Sequence, residues 1–236
     1  MELSRKWARL GGWLGITWPC LFIGIMIAAE LVGPKTHSAA EDLLAWTDPH
    51  NRRVDMLLHT FGGFVGLLGI GWCLGLNEWL QAERPSLASR LAMAFGIAGF
   101  SIATAMLIVQ GSVQAGMGEQ FAKLTSDAEK IAAAPMLRSL RLVDLGLDFT
   151  WDIFIAWTMI LFGTAMLRSR QFGKIWGLIG VLISGFLFSL DVWSAPNPAE
   201  PDLSFLALIW VVAVSIQMVR KSKADGALQS SSSALA

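Results

Sequence analysis

Apolar residues dominate six stretches of the chain, at about residues 10–32, 56–80, 90–116, 142–167, 174–193 and 203–219, and polar residues collect between them or at their ends. A helix needs roughly 20 mostly apolar residues to cross the hydrocarbon core of a bilayer. In lipid the backbone must satisfy its own hydrogen bonds, which leaves helices as the form for runs this long and continuous. The pattern predicts an all-α, polytopic membrane protein with six transmembrane helices in one domain over residues 1–223, then a disordered tail at 224–236 holding the serine run Ser230 to Ser233. Arg5, Lys6 and Arg9 ahead of the first run resemble the start of a secretory leader. The run from Leu10 to Val32 is too long for one and lacks a small-residue cleavage site, so it reads as a retained helix.

Two connecting segments are long enough to carry structure. In the first, Ser38 and Glu41 have the spacing of a capping box ahead of Asp42 to Trp46, which predicts a short helix on the membrane surface. Asp48 and Pro49 then read as an N-cap with proline in the first turn, placing Arg52, Asp55 and His59 on helix two. In the second, Phe121, Leu124, Ala128 and Ile131 recur at helical spacing among Lys123, Asp127, Glu129 and Lys130. That is the pattern of an interfacial amphipathic helix, ending before Pro135 and placed to act as a lid. The first, third and fifth helices open alike, with Arg9, Arg90 or Lys174 followed by an aromatic residue and glycines, at separations of 81 and 84 residues. Three helical hairpins of similar build give this pattern, and so does a shared need for a basic anchor and an interfacial aromatic.

The charges that enter the spans are not scattered. Helix four opens with Arg141, Asp144, Asp148 and Asp152, which share one stripe at about 100° per residue. About fifteen uncharged residues follow Asp152, so at a rise of about 1.5 Å per residue it sits below the interface. Ionisable groups at that depth are costly and face other helices or a wet cavity. On helix two, Asp55 and His59 share a face with Gly62, Gly66, Gly69 and Cys73; on helix three, Gln110 and Gln114 share one with Gly96, Gly99 and Ala103. On helix five, Asp191 lies on the face of Gly173, Gly177, Gly180 and Ser184. Small residues mark close helix contacts in membranes, so these polar ends are expected to point at neighbouring helices. The expectation is a shared chamber lined by Glu30, Asp55, His59, Gln110, Gln114, Asp144, Asp148, Trp151, Asp152 and Asp191, with Arg52 and Arg141 as internal counter-ions. Its excess of carboxylates calls for a bound cation or retained protons. Each member also has a plainer role open to it: capping for Asp144, interfacial exposure for Glu30 and Asp191, structural ion pairs for the arginines, and hydrogen bonding for His59 and the glutamines.

Charge sets the orientation. With the N-terminus inside, the cytoplasmic segments hold Arg5, Lys6, Arg9, Arg84, Arg90, Arg168, Arg170, Lys174, Arg220, Lys221 and Lys223, eleven of the 18 basic residues, in the shorter loops. Glu2, Glu78, Glu83 and Asp225 are the acids on that side, and the remainder of the 18 lie toward the other, so both termini are expected in the cytoplasm. A net charge of zero with no basic stripe argues against nucleic acid. Cys20 and Cys73 fall inside spans without a CxxC or haem-attachment pattern and read as small buried residues.

His59 and Asp55 at i, i+4, joined by Asp148 and Asp152, form the candidate set for a divalent metal ion, with His37 and His50 as further candidate ligands. Neither a metalloprotease spacing, a P-loop, a nucleophile elbow nor a retinal-binding lysine is present, and one histidine within the spans excludes bis-histidine haem. The segment from Gly163 to Gly180, with Arg168, Ser169, Arg170, Phe172, Trp176 and Gly177 between helices four and five, resembles the matching hairpin of uncharacterised bacterial six-helix integral membrane proteins classed as a domain of unknown function. The resemblance implies the six-helix fold and a bacterial plasma membrane, and carries over neither catalytic residues nor the aspartate ladder.

Three functions compete on this reading. One is an outward-facing acidic pocket that binds or transports a small cation or proton, with Asp148 and Asp152 as central ligands. Another is a membrane-embedded enzyme on a lipid or isoprenoid-like substrate, with the same aspartates as catalytic acids or as holders of a metal-activated water. The third is a non-catalytic assembly or sensing subunit in which Asp and Arg bind helices together. The spans carry few polar groups toward the cytoplasmic side, among them Thr17, Asn77, Thr158 and Ser184, which weighs against a complete permeation path.

Overall fold

Helix boundaries follow local chemistry. The computed structural model describes residues 2–33, 41, 44–194 and 205–233, and within the helices the side chains at 127, 131, 134, 136–138, 140, 141, 144, 191, 194 and 223–233, Arg141, Asp144 and Asp191 among them, lie outside the described set. So do His37 and the Ser38 end of the first predicted capping box; residues 44–45 are helical, with Glu41, ahead of a turn at 46–48. Helix α1 spans Glu2–Val32 and α2 spans Pro49–Glu83, with Asp48 Oδ1 accepting the His50 N–H at 2.8 Å, the N-cap its sequence predicts. Helix α3, Leu87–Ala122, is capped by Ser86, whose Oγ accepts the Ser89 N–H at 3.3 Å. Helices α4 (Asp127–Met166), α5 (Gly173–Ser194) and α6 (Phe205–Ser233) complete the chain, the last continuing into the stretch that composition marks as tail. Among the described residues six helices contain segments long and apolar enough to cross a membrane, which makes this a multi-pass membrane protein.

The separate amphipathic lid helix is corrected. Phe121 belongs to α3, and α4 runs without interruption from Asp127 through Pro135 to Met166. A capping box sets the start: Ser126 Oγ accepts the Glu129 N–H at 3.3 Å while Glu129 Oε2 accepts the Ser126 and Thr125 N–H groups at 3.1 and 3.0 Å. Those backbone donors, Ser126 first, hold the Glu129 carboxyl below its ordinary value. Pro135 costs one backbone bond and is tolerated at an exposed position, so it does not end the helix. Cys73 is buried as expected, whereas Cys20 is exposed; a helix surface facing lipid carries no penalty for a small apolar thiol.

The chain divides into two compact units, a larger one of Met1–Cys20, Leu67–Ser101 and Trp151–Ala236 and a smaller one of Leu21–Gly66 and Ile102–Thr150. In the larger unit, helices meet at glycine. A Cβ added at Gly11 of α1 would stand 2.6 Å from the Gly75 Cα of α2, and one at Gly163 of α4 would stand 2.8 Å from the Gly177 carbonyl oxygen of α5. Without a hydrophobic force between helices in lipid, such backbone approach and the dispersion contacts it permits supply the association. Beside these contacts lies an aromatic core: Trp72 meets Phe162 edge-on at 5.7 Å and Trp210 at 6.3 Å, and Trp210 Nε1 donates to the Trp176 carbonyl at 3.0 Å. The small faces predicted for α3 and α5 are buried, with Gly96 against Cys73 and Thr158, and Gly180 against Trp210.

Gly11→Ala is expected to lower stability by about 1–3 kcal/mol, since neither backbone can yield to the new methyl. Gly116→Ala, where a Cβ meets nothing within 4 Å, is expected to be neutral or to stabilise by up to about 1 kcal/mol. Thermal unfolding of both variants in one detergent checks the pair; equal losses would contradict close packing at Gly11.

Candidate functional site

In the smaller unit, the start of α2 is organised by an arginine. Arg52 Nη1 donates to the carbonyls of Trp46 and Thr47 at 3.1 and 3.0 Å, and Asn51 Nδ2 donates to the Ala45 carbonyl at 3.1 Å. These carbonyls lie in the turn before α2, where the Ala45 carbonyl also accepts the Asp48 N–H at 3.2 Å. Arg52 therefore acts as a clamp on the 45–47 segment, not as the counter-ion to Asp55 expected from the sequence; among the described residues it forms no ion pair with Asp55.

One turn further on stands the pair Asp55 and His59. His59 Nδ1 lies 2.9 Å from the Asp55 main-chain oxygen and 3.4 Å from Asp55 Oδ1. Both neighbours are acceptors, so Nδ1 carries the hydrogen and donates, which fixes the ring against its own helix. The two side chains are only 20% and 22% exposed for Asp55 and His59 respectively. Asp55 Oδ2 is buried and has no hydrogen-bond partner among the described residues.

Helix α3 packs along this face through a seam spaced by seven residues: Thr104, Gly111 and Gly118. Thr104 Oγ1 donates to the Gly63 carbonyl at 3.0 Å. A Cβ at Gly111 would stand 2.8 Å from His59 Cβ, and one at Gly118 would stand 2.6 Å from Trp46 Cβ. Gln114 lies between those two glycines on the same seam, so the antiparallel register brings it level with Asp55. Its Oε1 is likewise buried without a partner among the described residues. Gln110, 7% exposed, adjoins Gly111 on the buried side of α3. The sequence reading found the glutamines but missed Gly111, Gly118 and the clamp of Arg52; the seven-residue spacing of the seam was the available signal.

The remaining expected members are placed differently. Glu30 is exposed near the end of α1, and His50 is exposed in the first turn of α2. Asp148 is half-buried in the smaller unit, while Trp151 and Asp152 are half-buried in the larger one, and each of the three has an interaction partner. Asp144, Arg141 and Asp191 have side chains outside the description. Among the described residues no group of three or more His, Cys, Asp or Glu side chains stands close enough to hold a metal ion.

Arg52→Met keeps much of the side-chain volume and removes both donors. It is expected to lower stability by about 1–3 kcal/mol and to accelerate hydrogen exchange at the Thr47 and Asp48 amides, which bond the Leu44 and Ala45 carbonyls. Unchanged exchange there would remove Arg52 as the clamp. No family model, curated protein or solved structure matches this chain.

Proposed function

We propose that this membrane protein takes up a small cation or a proton at a polar site built on Asp55 and His59 of α2 and completed by Gln114 of α3, on the face of the membrane opposite to its two cytoplasmic termini. The observation that carries the reading is two buried acceptors, Asp55 Oδ2 on α2 and Gln114 Oε1 on the seam of α3, each without a hydrogen-bond partner among the described residues. Each buried acceptor left unpaired costs about 1–3 kcal/mol. One positive occupant between them relieves both costs, and His59 beside Asp55 Oδ1 leaves Oδ2 as the oxygen that turns to it.

The centre of the site thus moves from Asp148 and Asp152, each already engaged, to Asp55. The orientation rests on the eleven basic residues gathered at one set of helix ends. It is also supported by the approach of Gly12 to Ser215 and Val219, which puts the start of α1 beside the end of α6.

Asp55→Asn tests the reading in two parts. The amide brings a donor for Gln114 and removes the charge, so stability without added cation is expected to hold or to rise by about 1 kcal/mol. The rise in melting temperature produced by added monovalent or divalent cation is expected to disappear. A variant that keeps the full cation response in thermal unfolding would overturn the assignment.

A further inference from the structure

We infer that the α4–α5 loop and the end of α2 form a headgroup site for an anionic phospholipid, an inference independent of the cation site because it rests entirely on the larger unit. The loop is built around a carboxylate. Glu83, the last residue of α2, accepts the Ser169 hydroxyl at 2.5 Å and the main-chain N–H groups of Arg170 and Gln171. Ser169 Oγ in turn accepts the Gln171 and Phe172 N–H groups at 3.1 and 3.3 Å, and Lys221 Nζ donates to the Gln171 carbonyl. Phe172 packs on Trp79 with ring centroids 5.8 Å apart, and Gly173 leaves the loop at φ 76° to start α5.

This clasp has an electrostatic consequence. It ties the end of α2, where Arg84 follows Glu83, to the loop that carries Arg168, Arg170 and, at its exit, Lys174, and all four cations are exposed. None of the four forms an ion pair among the described residues. Glu83, which binds this loop, already has its oxygens engaged by it. Directly after Lys174, α5 presents an exposed apolar row: Ile175, Leu178, Leu182 and Phe186, 72%, 51%, 61% and 51% exposed, at spacings of three and four residues. A cationic cluster at the head of an apolar helix face is complementary to a phosphate-bearing lipid, with the headgroup among the arginines and an acyl chain along α5. A zwitterionic lipid brings its own ammonium and loses most of that advantage.

The test is native mass spectrometry of the detergent-solubilised full chain with added phosphatidylglycerol or phosphatidylcholine. Wild type is expected to retain phosphatidylglycerol selectively. Arg168→Gln with Lys174→Gln, both outside the clasp, is expected to weaken that retention roughly 30-fold, about fivefold for each basic residue, with the melting temperature in phosphatidylcholine unchanged. Glu83→Gln separates a built site from diffuse attraction: it raises the local positive charge but loosens the clasp, and retention is expected to fall. Equal retention of the two lipids by wild type, undiminished retention in the double variant, or stronger retention in Glu83→Gln would each overturn the inference.

Discussion

Close backbone approach at glycine is the constraint on which the larger unit depends. Lipid gives helices no hydrophobic reason to associate, so contact must come from surfaces that fit. Gly11 against Gly75 and Gly163 against Gly177 remove side chains where they would hold two helices apart. With the helices drawn together there, Trp72, Trp210 and Phe162 fill the space between them, and the single indole donor of Trp210 finds a carbonyl. Some polar groups in that unit pair across helices, as in the Ser89 hydroxyl that donates to Asn77 at 2.9 Å, while Thr158 and Ser215 donate to carbonyls one turn back on their own helices.

The smaller unit uses the same device for a different end. Its seam of Thr104, Gly111 and Gly118 lets α3 lie on α2 closely enough that Gln114 is carried to the level of Asp55. Arg52 donates to the carbonyls of the preceding turn and, among the described residues, forms no ion pair with Asp55. The result is a carboxylate beside a histidine on its own helix, with one oxygen buried and unpartnered among the described residues, and a second such acceptor, Gln114 Oε1, on α3. A positive occupant would stabilise such acceptors, which is why binding is the proposed reading over a purely structural network.

The helical architecture was legible because the apolar runs are long and the helix starts are chemically marked. Asp48 with Pro49 announces α2 without ambiguity. Pro135 misled because a proline near an exposed helix start weakens one bond, whereas the Ser126 to Glu129 box supplies several. Asp55 and His59 were legible as a pair from their i, i+4 spacing. The surroundings of Asp148 and Asp152 were not, because a stripe on one helix does not reveal which neighbour it faces. The turn clamped by Arg52 was illegible for a related reason: an arginine three residues before an aspartate looks like an ion pair until the carbonyls of a folded loop compete for it.

Infrared difference spectroscopy on adding cation, or on stepping the pH, most directly tests whether Asp55 is the group that responds. The account predicts a carboxyl band change in wild type that vanishes in Asp55→Asn and persists in Asp148→Asn and Asp152→Asn. A change that survives in Asp55→Asn and is lost with either aspartate of α4 would contradict it and return the site to that helix.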